Sequence, residues 1–267
     1  MRAAVSVQID AAAERLIYAA ATREPCPPVR ELIGAGNVHA AYEVQQRVVA
    51  HHTAAGRKVV GRKVGLTSKV VQAQLGVDAP DFGVLLDDMA YVTREPISCD
   101  RFLQPRVEAE VAFVMGQNLI DGAISAASVI SATEYVLPAV EIVDSRVANW
   151  DITLADTIAD NASSGAFVLG TTPRRLENLD LASVGMSLER DGQVLSTGAG
   201  AACLGDPVAA VVWLAKMLAS VGQPLLAGDI VLSGALGPVV PVSPGTFTAR
   251  ISGLGEVVAT FESGASQ

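Results

Sequence analysis

The chain has 267 residues, half of them hydrophobic and 18% charged, with a formal net charge of -9. That composition supports a sizeable core and excludes a disordered chain, while the negative balance disfavours nucleic acid and anionic membrane surfaces as partners. An anionic substrate would need local positive charge from a bound metal or a placed lysine, and the only lysines are Lys58, Lys63, Lys69 and Lys216.

Cys26, Cys99 and Cys203 are odd in number and widely spaced, which indicates neither a disulfide framework nor a zinc cluster and fits a reducing cytoplasm. Asp10, Glu14 and Arg15 interrupt the alanine-rich N-terminus where a signal peptide needs an unbroken apolar run. No stretch reads as long and apolar enough to span a membrane.

From about Asp10 to Ala21 the residues Ile9, Ala13, Leu16, Ile17 and Ala20 form one helical stripe, stopped by Pro25, Pro27 and Pro28. Asn37 is placed to cap a second helix carrying Val38, Ala41, Val44, Val48 and Val49, with Gly56 closing it. All the histidines lie there: His52 borders the buried face, while His39 and His51 read as solvated. They lack the i, i+4 spacing of metal ligands, which disfavours a histidine metal site; their confinement to that helix disfavours a Ser-His-Asp hydrolase.

Beyond about residue 58 the pattern changes to short strands and turns. Val59–Leu66 is an apolar run broken by Arg62 and Lys63. Ser68 is placed to cap a short helix through Leu75, ended by Gly76, and Asp78–Gly83 reads as a loop that holds one aromatic, Phe82. Pro105–Val114 reads as a strand, because Val107, Ala109, Val111 and Phe113 alternate with their neighbours. That alternation puts Glu108 and Glu110 on one face.

A helix is expected near Ser125 to Val136, with Pro138 leading into a second apolar strand, Val140–Asp144, that contains another acid. Thr153 to Asp160 reads as helical and ends in the small polar segment Asn161–Gly165. Asp191-Gly192 between Val184–Arg190 and Gln193–Thr197 is a hairpin signal. Asp206 as N-cap with Pro207 behind it opens a helix to Val221, with Gly222 past its end. Strands at Gly228–Gly234, Phe247–Ile251 and Val257–Phe261 complete a β-rich body.

Two carboxylates side by side in an apolar strand repel each other and resist burial. An edge strand facing water would accommodate such a pair alone. The further acid in a second apolar strand favours a bound cation instead, and an all-oxygen donor set suits Mg2+ or Mn2+ better than zinc.

Several blocks together carry a resemblance. They are Gly61–Thr67, Gln74–Gly83, Gln104–Glu110, Glu141–Arg146, Asp160–Gly165, Cys203–Pro207 and Gly228–Pro238. In their number and order the chain resembles the hydratase and decarboxylase branch of the fumarylacetoacetase superfamily, over nearly its whole length. The resemblance implies an α+β fold, with a helical N-terminal portion (about residues 1–58) packed on a mixed, mostly antiparallel β-roll (about 59–267), as one catalytic unit. It implies one divalent cation, Mg2+ or Mn2+, held by Glu108, Glu110 and Glu141.

The implied activity is addition of water to 2-hydroxypenta-2,4-dienoate, giving 4-hydroxy-2-oxopentanoate in the meta-cleavage degradation of aromatic compounds. Decarboxylation of 4-oxalocrotonate is the nearest alternative; a C–C bond hydrolase and a non-catalytic partner subunit are more distant ones. Lys63 is the candidate proton carrier for the substrate's enol oxygen or carboxylate, with apolar neighbours Val60, Val64 and Leu66 expected to lower its pKa. Asp81 is the candidate base for the added water, or else a turn former beside Pro80. Ser163 and Ser164 are candidates to bind the substrate carboxylate, or else helix caps. Arg106 is expected in a structural salt bridge, and Asp144 and Arg146 in supporting roles. A ring-like homo-oligomer, pentamer or decamer, is implied, with association with a pathway enzyme as a further possibility.

Overall fold

The computed structural model describes residues 2–69, 72, 77, 79–120 and 124–264. Three helices open the chain: α1 (Arg2–Thr22), α2 (Arg30–Ile33) and α3 (Val38–Ala54). α1 begins earlier than its apolar stripe predicts, since the preceding residues include alanines and no helix breaker. α3 starts where expected: the Asn37 side chain accepts the Ala40 N–H, and Gly56 follows the helix with φ 96°. Ile9, Ala12 and Leu16 of α1 pack with Ala41, Val44 and Val48 of α3, and the same cluster runs into the body through Val147, Ala155 and Ile158.

Two sheets follow. The larger has the order β2 (Asp81–Leu86), β1 (Val59–Gly65), β10 (Ile230–Leu232), β5 (Arg106–Met115), β6 (Thr133–Val143), β7 (Ser164–Leu169) and β3 (Ala90–Val92), with β11 (Val240–Pro241) also paired to β5. The smaller has the order β4 (Pro96–Ser98), β13 (Gly255–Glu262), β12 (Gly245–Ile251), β8 (Gly185–Arg190) and β9 (Gln193–Ala199). The pairs β1–β10, β3–β7 and β4–β13 are parallel and the others antiparallel, so the mixed, mostly antiparallel body is found. Val107, Ala109, Val111 and Phe113 of β5 share one core with Leu188, Phe247 and Phe261 of the smaller sheet. The hairpin between β8 and β9 turns on Asp191 (φ 51°) and Gly192 (φ 84°), the left-handed pair that its sequence predicts.

Four expectations need correction or limitation. The helix expected to reach Val136 ends sooner: α4 spans Ala126–Ala132, and from Thr133 the chain joins β6, with Pro138 inside the strand. Thr133, Tyr135 and Val136 are β-formers whose backbone finds partners on β5. The segment Asp78–Gly83 is only partly a loop, because Asp81, Phe82 and Gly83 begin the fully buried strand β2. The helix expected from Ser68 to Leu75 lies largely outside the described residues.

The expectation that no stretch could cross a membrane also fails on length and composition, since Gly200–Ser220 passes both tests. Its regular α-helical part is only Pro207–Ser220, here α6, preceded by turns. Fourteen residues rise about 21 Å, short of the roughly 30 Å hydrocarbon layer. One face of α6, including Val208, Val211, Leu214 and Leu218, is buried against the sheets.

The remaining helix, α5 (Leu154–Ala159), ties the N-terminal helices to the body. Its fully buried Asp156 accepts the Arg30 N–H at 2.8 Å, an Arg30 guanidinium N–H at 2.7 Å, and the Thr153 N–H and hydroxyl at 2.9 Å. Replacing Asp156 by Ala leaves the Arg30 backbone N–H and the α5 N-terminus unpaired, and leaves the Arg30 guanidinium with only the more exposed Asp151 as its acid. Asp156→Ala should therefore destabilise the protein by about 3 kcal/mol in urea unfolding; a loss under about 1 kcal/mol would mean that the contact is not holding these elements together.

Candidate active site

The acid cluster follows from strand geometry. Alternation along β5 puts Glu108 and Glu110 on the face opposite the inter-sheet core, and the β5–β6 register sets Glu141 directly across from Glu108. One carboxylate oxygen from each of the three lies within 4.8 Å of the others. Glu110 and Glu141 are wholly buried and Glu108 is half-buried. The Gly234 N–H donates to Glu110 Oε2 at 2.8 Å, whereas Glu110 Oε1 and both Glu141 oxygens have no hydrogen-bond partner.

Lys63 enters from β1, 3% exposed, with Nζ 3.2 Å from Glu141 Oε1 in an ion pair that lacks hydrogen-bond alignment. Its one aligned hydrogen bond is donated to the Ala162 carbonyl at 3.0 Å. Burial pushes the Glu108 carboxyl up to about 7, with the Glu141 charge adding and Lys63 opposing. Burial likewise raises Glu110 well above the usual carboxylate range, and raises Glu141. For Lys63 burial opposes the charge, but Glu141, Asp81, Glu108 and Glu110 outweigh it, so the pKa rises. The expected lowering by Val60, Val64 and Leu66 is thus overturned. Its sequence neighbours are apolar; its spatial neighbours are acids.

Asp81 lies at the start of β2, opposite Gly65, and is 1% exposed. Thr157 Oγ1 donates to its Oδ2 at 3.0 Å, while Oδ1 has no partner. A Cβ on Gly65 would lie 2.1 Å from that free oxygen and 3.4 Å from Lys63 Nζ, so Gly65 keeps space open between the two groups. Burial raises the Asp81 pKa against the pull of Lys63.

The turn between α5 and β7 holds the serines. Asn161, Ala162 and Ser163 all take left-handed φ, between 50° and 54°, which aims the Ala162 carbonyl at Lys63. The Ser163 hydroxyl is buried and unpartnered, whereas the Ser164 hydroxyl donates to the Asn161 carbonyl at 2.7 Å. Arg146 braces this turn, donating to the Asp160 carbonyl at 2.6 Å and the Ser164 carbonyl at 2.9 Å. Asp144 accepts the Leu103 and Gln104 N–H groups. Among the described residues Arg106 forms no salt bridge of the kind expected. Its guanidinium carbon stacks 4.3 Å from the Trp150 ring centroid, an attraction of cation for π-face.

Gly234, Thr157, Asn161 and Gln45 also bear on the site without having been singled out by sequence. Gly234 acts through a backbone N–H, and the other three act through register and packing that no local spacing encodes. His39 and His51 are exposed on α3 and His52 is half-buried. Among the described residues the acid triad is the group suited to a cation. Its buried, unpartnered, hard oxygens fit a divalent ion, which would offset the burial that now raises their pKa values.

Protons and cation would compete for these oxygens. Apparent Mg2+ affinity, read by calorimetric titration, should therefore rise as pH increases through about 7; equal affinity at about pH 6 and 8 would contradict it. Folded Glu108 holds its proton longer than the unfolded group, so the metal-free fold should lose stability as pH rises from 4.5 to about 7.

Residues 50–262 match the family described as fumarylacetoacetate (FAA) hydrolase C-terminal. Over 251 residues the chain is 53% identical to the TodF product hydratase of Pseudomonas putida, covering 94% of each chain. It is 51% identical to the 2-keto-4-pentenoate hydratase of Paraburkholderia xenovorans over 257 residues, 96% of each. The 4-oxalocrotonate decarboxylase of Pseudomonas putida G7, solved with magnesium and adipate, superposes with a TM-score of 0.91 at 36% identity, over 96% of this chain and 98% of that one. With the fold and the acid triad in place, these likenesses establish that the chain belongs to the fumarylacetoacetate hydrolase family.

Proposed function

We propose that the protein is a hydro-lyase that adds water to 2-hydroxypenta-2,4-dienoate (2-keto-4-pentenoate) and yields 4-hydroxy-2-oxopentanoate. The observation that carries the reading is the buried cluster of Glu108, Glu110, Glu141 and Lys63, in a chain about half identical to hydratases over nearly its full length. Glu108, Glu110 and Glu141 would hold one Mg2+ or Mn2+, which supplies Lewis-acid stabilisation of negative charge on a 2-keto acid.

The chain's own residues account for the remaining steps. Held charged by its acidic neighbours, Lys63 donates a hydrogen bond to the substrate's C2 oxygen or carboxylate and favours the enolate over the free enol. Loss of the C2 hydroxyl proton and protonation at C5 give the 2-oxo-3-enoate, which is electrophilic at C4. Asp81, through its free Oδ1, takes a proton from the water that attacks C4. A proton then arrives at C3, so one water is consumed and no other group leaves. The unpartnered Ser163 hydroxyl binds the substrate carboxylate; Ser164 can do so only by giving up its bond to Asn161.

The likeness to the decarboxylase supports a second reading, loss of CO2 from 4-oxalocrotonate on the same acids and lysine. The higher identity to hydratases favours hydration. The protein would act in the cytoplasm, as one catalytic unit repeated in a ring-like homo-oligomer, within the breakdown of aromatic compounds and beside the enzyme that supplies its substrate.

Freshly generated 2-hydroxypenta-2,4-dienoate should lose its ultraviolet absorbance with metal-stripped protein only after Mg2+ or Mn2+ is added, with 4-hydroxy-2-oxopentanoate as product. No hydration, with CO2 released from 4-oxalocrotonate, would replace this reading by the second. Lys63→Met and Asp81→Asn should each lower kcat by about 100-fold or more. Glu141→Gln should abolish metal-dependent turnover, and undiminished activity there would remove the acid triad from the chemistry.

A further inference from the structure

We infer that Gln45 and Thr157 form a clamp that sets the orientation of the Asp81 carboxylate, making the N-terminal helix α3 a positioning element of the active site. The inference rests on the role proposed for Asp81. Gln45 lies outside the matched family region, residues 50–262, on a helix face otherwise lined by Ala41, Val44 and Val48. It is a buried amide, 3% exposed, in an apolar cluster. Both donors of its Nε2 are used, to the Phe82 carbonyl at 2.8 Å and the Ile158 carbonyl at 3.1 Å.

Each carbonyl takes the Gln45 amide as a partner from outside its own element. β2 is an edge strand, so the backbone groups on its outer side find no neighbouring strand. Ile158 is in the last turn of α5, where its carbonyl has the nearby Asp160 cap N–H but no regular intrahelical donor. Phe82 directly follows Asp81, and Ile158 directly follows Thr157. The Thr157 hydroxyl donates to Asp81 Oδ2 at 3.0 Å and closes a ring from Gln45 through Phe82, Asp81, Thr157 and Ile158 back to Gln45. Tyr42, one turn before Gln45 on α3, stacks on Phe82 with ring centroids 4.7 Å apart. With Oδ2 engaged, Oδ1 is left free on the side of Gly65 and Lys63.

Thr157→Val removes the hydroxyl at nearly constant volume, and Gln45→Met removes both amide donors. Each should lower kcat about tenfold while Mg2+ affinity and KM stay within about twofold, and Thr157→Ser should recover most of the rate. Because both residues act on one carboxylate, the double variant should be little worse than either single one. Thermal unfolding verifies that each variant is folded at the assay temperature. Unchanged kcat in Thr157→Val, or losses that simply multiply in the double variant, would overturn the clamp. An active Asp81→Asn would instead overturn the proton-transfer role beneath it. A crystal structure of Thr157→Val separates these failures without any turnover: the clamp requires the Asp81 carboxylate to rotate, and an unmoved carboxylate refutes it.

Discussion

The gathering of three carboxylates, two of them fully buried, on one face of a sheet is the constraint on which the site depends. Glu110 and Glu141 are fully buried with three oxygens unpartnered, a cost that an apolar face would not tolerate without compensation. Within the chain the compensation is partial: one ammonium from Lys63 and one N–H from Gly234 face three acids. Burial is the main reason the acids hold their protons tightly, and the excess of acids is why Lys63 holds its charge. A divalent cation would complete the neutralisation, because the excess of negative charge that disfavours burial of the acids favours a bound cation.

At the sheet edge beside that cluster, backbone is held in place by side chains in addition to regular pairing. The edge strand β2 has its outer groups covered by amides: Asn161 receives the Val84 N–H and donates to the Val84 carbonyl, and Gln45 takes the Phe82 carbonyl. The turn that supplies Asn161 runs through three consecutive left-handed residues, a conformation that costs roughly 1–2 kcal/mol per residue. Arg146 braces it from behind. Strain of this kind persists where surrounding contacts over-determine it, and here it delivers the Ala162 carbonyl to Lys63.

Much of the fold could be read from sequence where the signal is local. Caps at Asn37 and Asp206, the Asp191-Gly192 hairpin and the period-two pattern of β5 all depend on residues a few positions apart, and all are found. Glu108 and Glu110 were therefore legible as a pair. What places Glu141 opposite Glu108 is the β5–β6 register, which spans thirty-three positions of chain and has no local signature. Asp81 was legible as a candidate base or else a turn former beside Pro80, but not as a strand residue, because the strand it begins is stabilised by side chains from distant helices and turns. The sign of the Lys63 pKa shift reversed for the same reason, and Arg106 exchanged an expected carboxylate partner for the Trp150 ring.

The central claim is that Glu108, Glu110 and Glu141 bind one cation together. Anomalous diffraction from crystals grown with Mn2+ tests it without reference to any substrate. The account predicts a single strong peak with an oxygen of each of the three acids at about 2.1 Å, the distance of a hard octahedral ion. A peak held by other residues, or none at saturating Mn2+, would contradict it.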